Sequence, residues 1–313
     1  MRYPTPGRAS TSHGRRLRAA ASATATVVLL YAAAWAVVPP SFFTVLRETR
    51  LTFERSVEER PGWSPDGRRI IFDSRRGRFT HIWVMDADGS NPTELTRGAV
   101  VDASATYSPD GRRILFYSTR SGNLDIWAMD ADGSKMEQLT NHPARDLFPN
   151  WSPDGKRIVW VRHTRRNKTD IWVMNADGTD AQPLTSWRGT DGAPDWSPDG
   201  RQIVFHSDRA GSRDIWIMDA DGSNQERLTF DNAADLAPTF RPEGSVIAWF
   251  SARSGNLDIW IMAPDGDNPR QLTHHPARDW SPSWSPDGMR IAYFSDRADG
   301  QGDIWVMELG FSF

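Results

Sequence analysis

Six carboxylates recur along this chain at nearly constant spacing. Glu58, Asp102, Asp146, Asp191, Asp235 and Asp279 follow one another at intervals of 44, 44, 45, 44 and 44 residues. Arginines keep the same rhythm at Arg76, Arg120, Arg209, Arg253 and Arg297, with Thr164 and then Arg165 in the third copy. A further set of acids, Asp125, Asp170, Asp214, Asp258 and Asp303, is also periodic, and His81 stands in the first place of that set. Carboxylates gathered about one axis would raise one another's pKa unless cations lay among them. Two chemistries fit. Arg–carboxylate pairs could staple neighbouring loops, or the ring could hold calcium, a similar cation or a basic segment of a partner.

Departures from the periodicity add candidates. The third copy carries a basic run, with Arg162, His163, Arg165, Arg166 and Lys168. It could be a solvated loop or could meet an anionic group. His142-Pro143-Ala144-Arg145-Asp146 and His275-Pro276-Ala277-Arg278-Asp279 match each other at a separation of 133 residues. Local hydrogen bonding is the expected role of those histidines, since positions three repeats apart in a six-membered ring are too distant to share a metal. Asp86-Ala87-Asp88-Gly89 resembles the start of a calcium loop but lacks the later ligands and the bidentate Glu, so it reads as a hairpin turn. No serine-elbow, Ser-x-x-Lys or His-Glu-x-x-His motif is present.

What must position these groups is one unit written six times. An aromatic followed by Ser-Pro-Asp-Gly occurs at Trp63, Tyr107, Trp151, Trp196 and Trp284, and Phe240-Arg241-Pro242-Glu243-Gly244 is a degenerate copy. Ile-Trp recurs before a Met two residues on, with Trp83, Trp127, Trp172, Trp216, Trp260 and Trp305. Leu-Thr recurs at Leu95, Leu139, Leu184, Leu228 and Leu272. Ser-Pro-Asp-Gly is a tight turn, because Pro presets φ at its second position and Gly suits its last. Short β-branched and aromatic runs between turn signals predict four strands per unit. Four strands in about 44 residues, repeated, predict one blade per unit and an all-β, six-bladed β-propeller. The sixth unit lacks a Leu-Thr strand, and Arg50-Leu51-Thr52 is an orphan copy ahead of the first unit. The N-terminal strand is therefore expected to close the last blade and seal the ring.

The repeat resembles the propeller repeats of the periplasmic TolB family over residues 50–308. The resemblance implies a cell-envelope setting and a partner that contacts the face bearing the acids and arginines. It does not imply the whole Tol-Pal role, since the family's α/β domain ahead of the propeller has no counterpart here.

Composition bounds the rest. The chain has no cysteine, so disulfides and thiolate chemistry are excluded. Five arginines and no acid precede residue 41, and the whole-chain charge of −3 leaves −8 for the remainder. A body of that sign is not a nucleic-acid binder. Those arginines precede an uncharged run over 19–38, which reads as an apolar helix: a cleaved signal or a retained single anchor, with everything after it outside the cytoplasm. The expected organisation is a leader over 1–40, a short linker over 41–49 and the propeller over 50–313. The expected function is an exported, non-enzymatic, monomeric propeller that binds a protein or peptide partner without a cofactor. The alternatives are a propeller-based carbohydrate lyase or hydrolase using His142, His163, His206 or His275 with the ring acids, or a glycan-binding module using Trp187 and Trp280.

Overall fold

The computed structural model describes residues 39–165, 168–298 and 300–311. The expected leader helix and cleavage sites lie outside the described residues. Six four-stranded antiparallel sheets follow one another. In the first blade the strands are Glu58–Trp63, Arg69–Ser74, His81–Asp86 and Thr93–Glu94, running from the channel outwards. The inner strands touch their neighbours all the way round, and Glu58–Trp63 meets Asp279–Trp284 to complete the circle.

Local chemistry explains each motif. In the first Ser-Pro-Asp-Gly turn the Gly67 N–H donates to the Ser64 carbonyl (2.9 Å), and the Ser64 hydroxyl donates to Asp66 (2.6 Å) and accepts from the Arg69 N–H (2.9 Å). Gly67 stands at φ 68°, where a β-carbon would be strained. Leu-Thr ends each short outer strand for a similar reason. In the fourth blade the Leu228 N–H donates to the Ile215 carbonyl (2.8 Å), and the Thr229 hydroxyl oxygen accepts the Ile215 N–H (2.9 Å). One Leu-Thr pair thus satisfies both backbone groups of one isoleucine.

Packing between blades follows the aromatics. Trp63 lies with Ala292, Ile304 and Val306 of the sixth blade, and Trp196 with Val159, Ile171 and Val173 of the third. The aromatic that ends each inner strand inserts into the blade before it. The second strands are buried on both faces, as with Ile70, Ile71 and Phe72 at 0% exposure. A blade sandwiched between two others has no wet face, so its middle strands need no polar alternation.

The ring closes through the N-terminal strand, Phe43–Arg50, which pairs antiparallel with Asp303–Phe311 from Phe43 opposite Phe311 to Arg50 opposite Trp305. The bonds are those of the fourth blade. The Leu51 N–H donates to the Ile304 carbonyl (2.8 Å), and Thr52 Oγ1 accepts the Ile304 N–H (2.9 Å). The stretch 41–49, expected as a linker, is instead mostly strand. Phe43 is fully buried, edge-on to Phe311 (5.1 Å) and Trp284 (6.4 Å), and the backbone from residue 43 onwards pairs the edge of the last strand.

All Ser-Pro-Asp-Gly and Ala-Asp-Gly turns fall on one side of the wheel. The longer connections, between second and third strands and between blades, fall on the other.

Candidate functional site

The six periodic acids each begin an inner strand, at its loop-face end, as their spacing predicts. They do not form an open mouth. All six are at 0% exposure. Each is paired inside its own blade: Asp102 with Arg120 (2.8 Å), Asp191 with Arg209 (2.9 Å), Asp235 with Arg253 (2.6 Å), Asp279 with Arg297 (2.9 Å) and Glu58 with Arg76 (3.3 Å). Each arginine also covers the third-strand tryptophan of its blade, from 4.0 Å for Arg76 over Trp83 to 5.4 Å for Arg120 over Trp127. Burial raises the Glu58 and Asp279 carboxyls despite these partners. A guanidinium held between a carboxylate and an indole face is a fastener, and its charge is already satisfied.

The third blade corrects one expectation. Its acid, Asp146, is held by Arg162 through two bonds (2.7 and 2.8 Å), while Thr164 donates to Asp170 (3.0 Å). Arg162 sits in ladder register with Asp146, where the other blades carry a serine such as Ser74 or Ser207. It leaves the basic run and joins the fasteners. Lys168 pairs with Asp170 (3.2 Å). His163 remains as a half-buried side chain, its pKa lowered by burial and then by Arg145. Arg166 and the side chain of Arg165 lie outside the described residues.

The channel carries a pattern that the repeat motifs did not announce. Each inner strand holds a bulge whose first residue has positive φ: Arg60 (51°), Ser104 (54°), Phe148 (52°), Ala193 (45°), Ala237 (46°) and Ser281 (56°). Left-handed backbone at a non-glycine residue costs about 1 kcal/mol or more. The bulge turns these six residues into a central cavity of about 550 Å³. Arg60 lies between the rings of Phe148 (5.7 Å) and Trp280 (5.8 Å) and pairs with Glu59 (2.8 Å) and Asp73 (3.2 Å). Desolvation pushes Asp73 up to about 7. Asp195 is pushed up to about 6 by burial, although Asn150, Thr239 and two backbone N–H groups donate to it.

On the loop face, over the third and fourth blades, a wider cleft of about 970 Å³ adjoins the channel, and His163, Thr169, Thr190 and Arg213 line both. Arg145 and Arg213 stand exposed in it. Its carboxylate, Asp208, accepts from the Thr190 N–H (2.9 Å) and hydroxyl (2.7 Å). His142 is at the rim, where its Nδ1 accepts the Ala144 N–H (2.9 Å), and His275 accepts the Ala277 N–H in the same way (3.1 Å). His206, at the channel wall, is driven down to about 3, by burial first and then by the charge of Arg213. Among the described residues no three His, Asp or Glu side chains converge as metal ligands. The Asp86–Ser90 segment is a hairpin turn, closed by the Asp86 N–H to the Ser90 carbonyl (2.9 Å). Trp187 is 40% exposed between the third and fourth blades, whereas Trp280 is half-buried against Phe294 (4.6 Å).

Comparison with known proteins agrees with this architecture. The family model of the TolB beta propeller domain matches residues 46–169 and 141–236, and that of the Tricorn protease N-terminal beta propeller domain matches 213–309. The Tol-Pal system protein TolB of Anaeromyxobacter dehalogenans is 48% identical over 42 residues, 13% of this chain and 10% of that protein. The match thus spans about a tenth of that relative's length. Among solved structures, a TolB-like protein from Agrobacterium tumefaciens superposes with a TM-score of 0.67 at 24% identity, over 85% of this chain and 98% of the other. TolB from Acinetobacter baumannii gives 0.64 at 22%, over 90% and 67%. Oligogalacturonate lyase from Vibrio parahaemolyticus gives 0.61 at 13%, over 85% and 96%, a likeness of fold alone. With more than half of its length matched by that first family model, the chain belongs to the TolB β-propeller family.

Proposed function

We propose that this protein is a TolB-like scaffold of the cell envelope that binds a protein or peptide partner on its loop face. One observation carries the reading: the channel and the 970 Å³ cleft merge on that face, whereas the opposite face is built of tight turns. The acid and arginine rows serve the blades, so a partner contacts the loops above them. An extracytoplasmic setting belongs to the same reading and is supported by the arginine-rich start with its apolar run and by the TolB relatives. Among the described residues no helix is long and apolar enough to cross a membrane.

The test is photo-crosslinking in the native cell. A crosslinking residue at Trp187 or Arg213 is expected to trap one discrete partner, and the same residue at Asn91 or Asp132 on the turn face is not. Adducts of equal yield from both faces, or none from the loop face, would reject the reading.

A further inference from the structure

We infer that the cleft over the third and fourth blades receives an acidic peptide segment of the partner, with Arg145 and Arg213 as its carboxylate receptors. The inference rests on the scaffold reading and names what that scaffold grips.

Several arginines of this face are already committed. Arg120, Arg162, Arg209, Arg253 and Arg297 are tied to buried acids, and Arg278 is tied to Asp296 (2.7 Å). Arg145 and Arg213 have no carboxylate within ion-pair distance among the described residues, and both line the same cleft. Asp208, which accepts from Thr190, sets one negative charge in this lining against the two guanidiniums, so the lining keeps a cationic excess. The two guanidiniums also border the imidazoles of this face: His163 is lowered by burial and then by Arg145, and His206 by burial and then by Arg213.

Charge makes the feature local. Residues 41–313 carry a formal −8, so an unpaired cationic cleft is an exception to the body that bears it. Size and chemistry favour more than a single carboxylate. About 970 Å³ lies at the upper end of the range for ligand pockets, about 300–1,000 Å³, so the space admits a short stretch of chain. Arginine is the side chain suited to planar, two-point recognition of carboxylates. Trp187 and Arg188, exposed on the connection between the same two blades, extend the surface along which such a stretch would lie.

The experiment uses the purified full chain and a fluorescein-labelled decapeptide of alternating Glu and Gly, followed by anisotropy at two salt concentrations. Saturable binding is expected, weakened at least tenfold in the Arg145→Glu/Arg213→Glu variant and within twofold of wild type in Arg97→Glu, whose parent pairs with Glu94 elsewhere on the face. Arg145→Lys/Arg213→Lys should restore part of the affinity. All three positions are exposed on loops, and an unchanged thermal transition checks that each variant folds. Binding unaffected by the charge reversal would overturn the inference, as would binding of an oligogalacturonate in preference to the peptide. If no acidic peptide binds while Trp187 still crosslinks a partner, the cleft assignment fails and the scaffold reading stands. If the crosslink fails too, both fall.

Discussion

His206 shows how a single residue can depart from its repeat without departing from the fold. Its ladder position holds Asp73, Tyr117, Val161, Phe250 and Phe294 in the other blades. Gly192 opposite leaves room for the ring, since a β-carbon there would stand 2.6 Å from Nε2. A folded-state pKa near 3, against 6.5 unfolded, means that the unfolded chain takes up the proton first. The stability that neutral His206 allows is therefore complete above pH 6.5 and is lost as pH falls towards 3, at up to about 1.4 kcal/mol per unit. His206→Phe is expected to unfold in urea with a smaller loss between pH 7.5 and pH 5 than wild type. Parallel losses would mean that the imidazole is solvated and charged in the folded protein. The buried acids make a different prediction. Asp191→Ala strands Arg209, 13% exposed, and is expected to cost about 3 kcal/mol in a urea titration, as broken buried pairs do. The rows were legible in the sequence because each follows the repeat. Arg162 was not, because it fills the serine position of an otherwise intact pattern, and its neighbours made it look like part of a basic loop.

At the scale of strands, the motifs named every element of the blades, since each motif is a turn or a backbone lock. They did not name the inner-strand bulges. The mark was present nonetheless: Pro61, Pro149, Pro194, Pro238 and Pro282 fall inside strands, where a proline cannot donate to a ladder and a bulge must absorb it. The closing strand was half legible. Arg50-Leu51-Thr52-Phe53 repeats Arg227-Leu228-Thr229-Phe230, down to the Arg50 bond to Asp303 (2.9 Å) that parallels Arg227 to Asp214 (3.0 Å). Residues 43–49 carry no motif, because backbone pairing there asks for no particular side chains beyond one buried ring. Phe43→Ala should therefore cost about 3–5 kcal/mol, whereas Leu46→Ala, on the same strand and 67% exposed, should stay within about 0.5 kcal/mol. Equal, small effects in chemical denaturation would return this stretch to the status of a linker.

The whole wheel depends on that strand in a way that a linear array would not. In an open stack each repeat leans only on its neighbours, and ends can melt alone. Here the first and last blades touch, and Phe43 faces Phe311 across one ladder. The two ends of the described chain thus stand where every other blade has an Ala-Asp-Gly or related hairpin between its third and fourth strands. Joining residue 311 to residue 43 by a short hairpin, and opening the exposed loop between Gly98 and Ala99, would move the seam from the sixth blade to the junction of the first and second without removing a strand pair. Exposed loops tolerate such cuts, and a short closing loop changes the chain entropy little. The permuted protein is expected to unfold in one transition, within about 1–2 kcal/mol of the parent. With residues 1–42 placed ahead of Ala99, it should also keep its crosslink at Trp187, because the loop face over the third and fourth blades is untouched. Two separated transitions, or a permutant that cannot fold, would show that the strand at 43–50 is not what seals the ring. In a sealed ring, moreover, the cleft between the third and fourth blades cannot widen without displacing the other junctions, so the spacing of Arg145 and Arg213 is set by all six blades together.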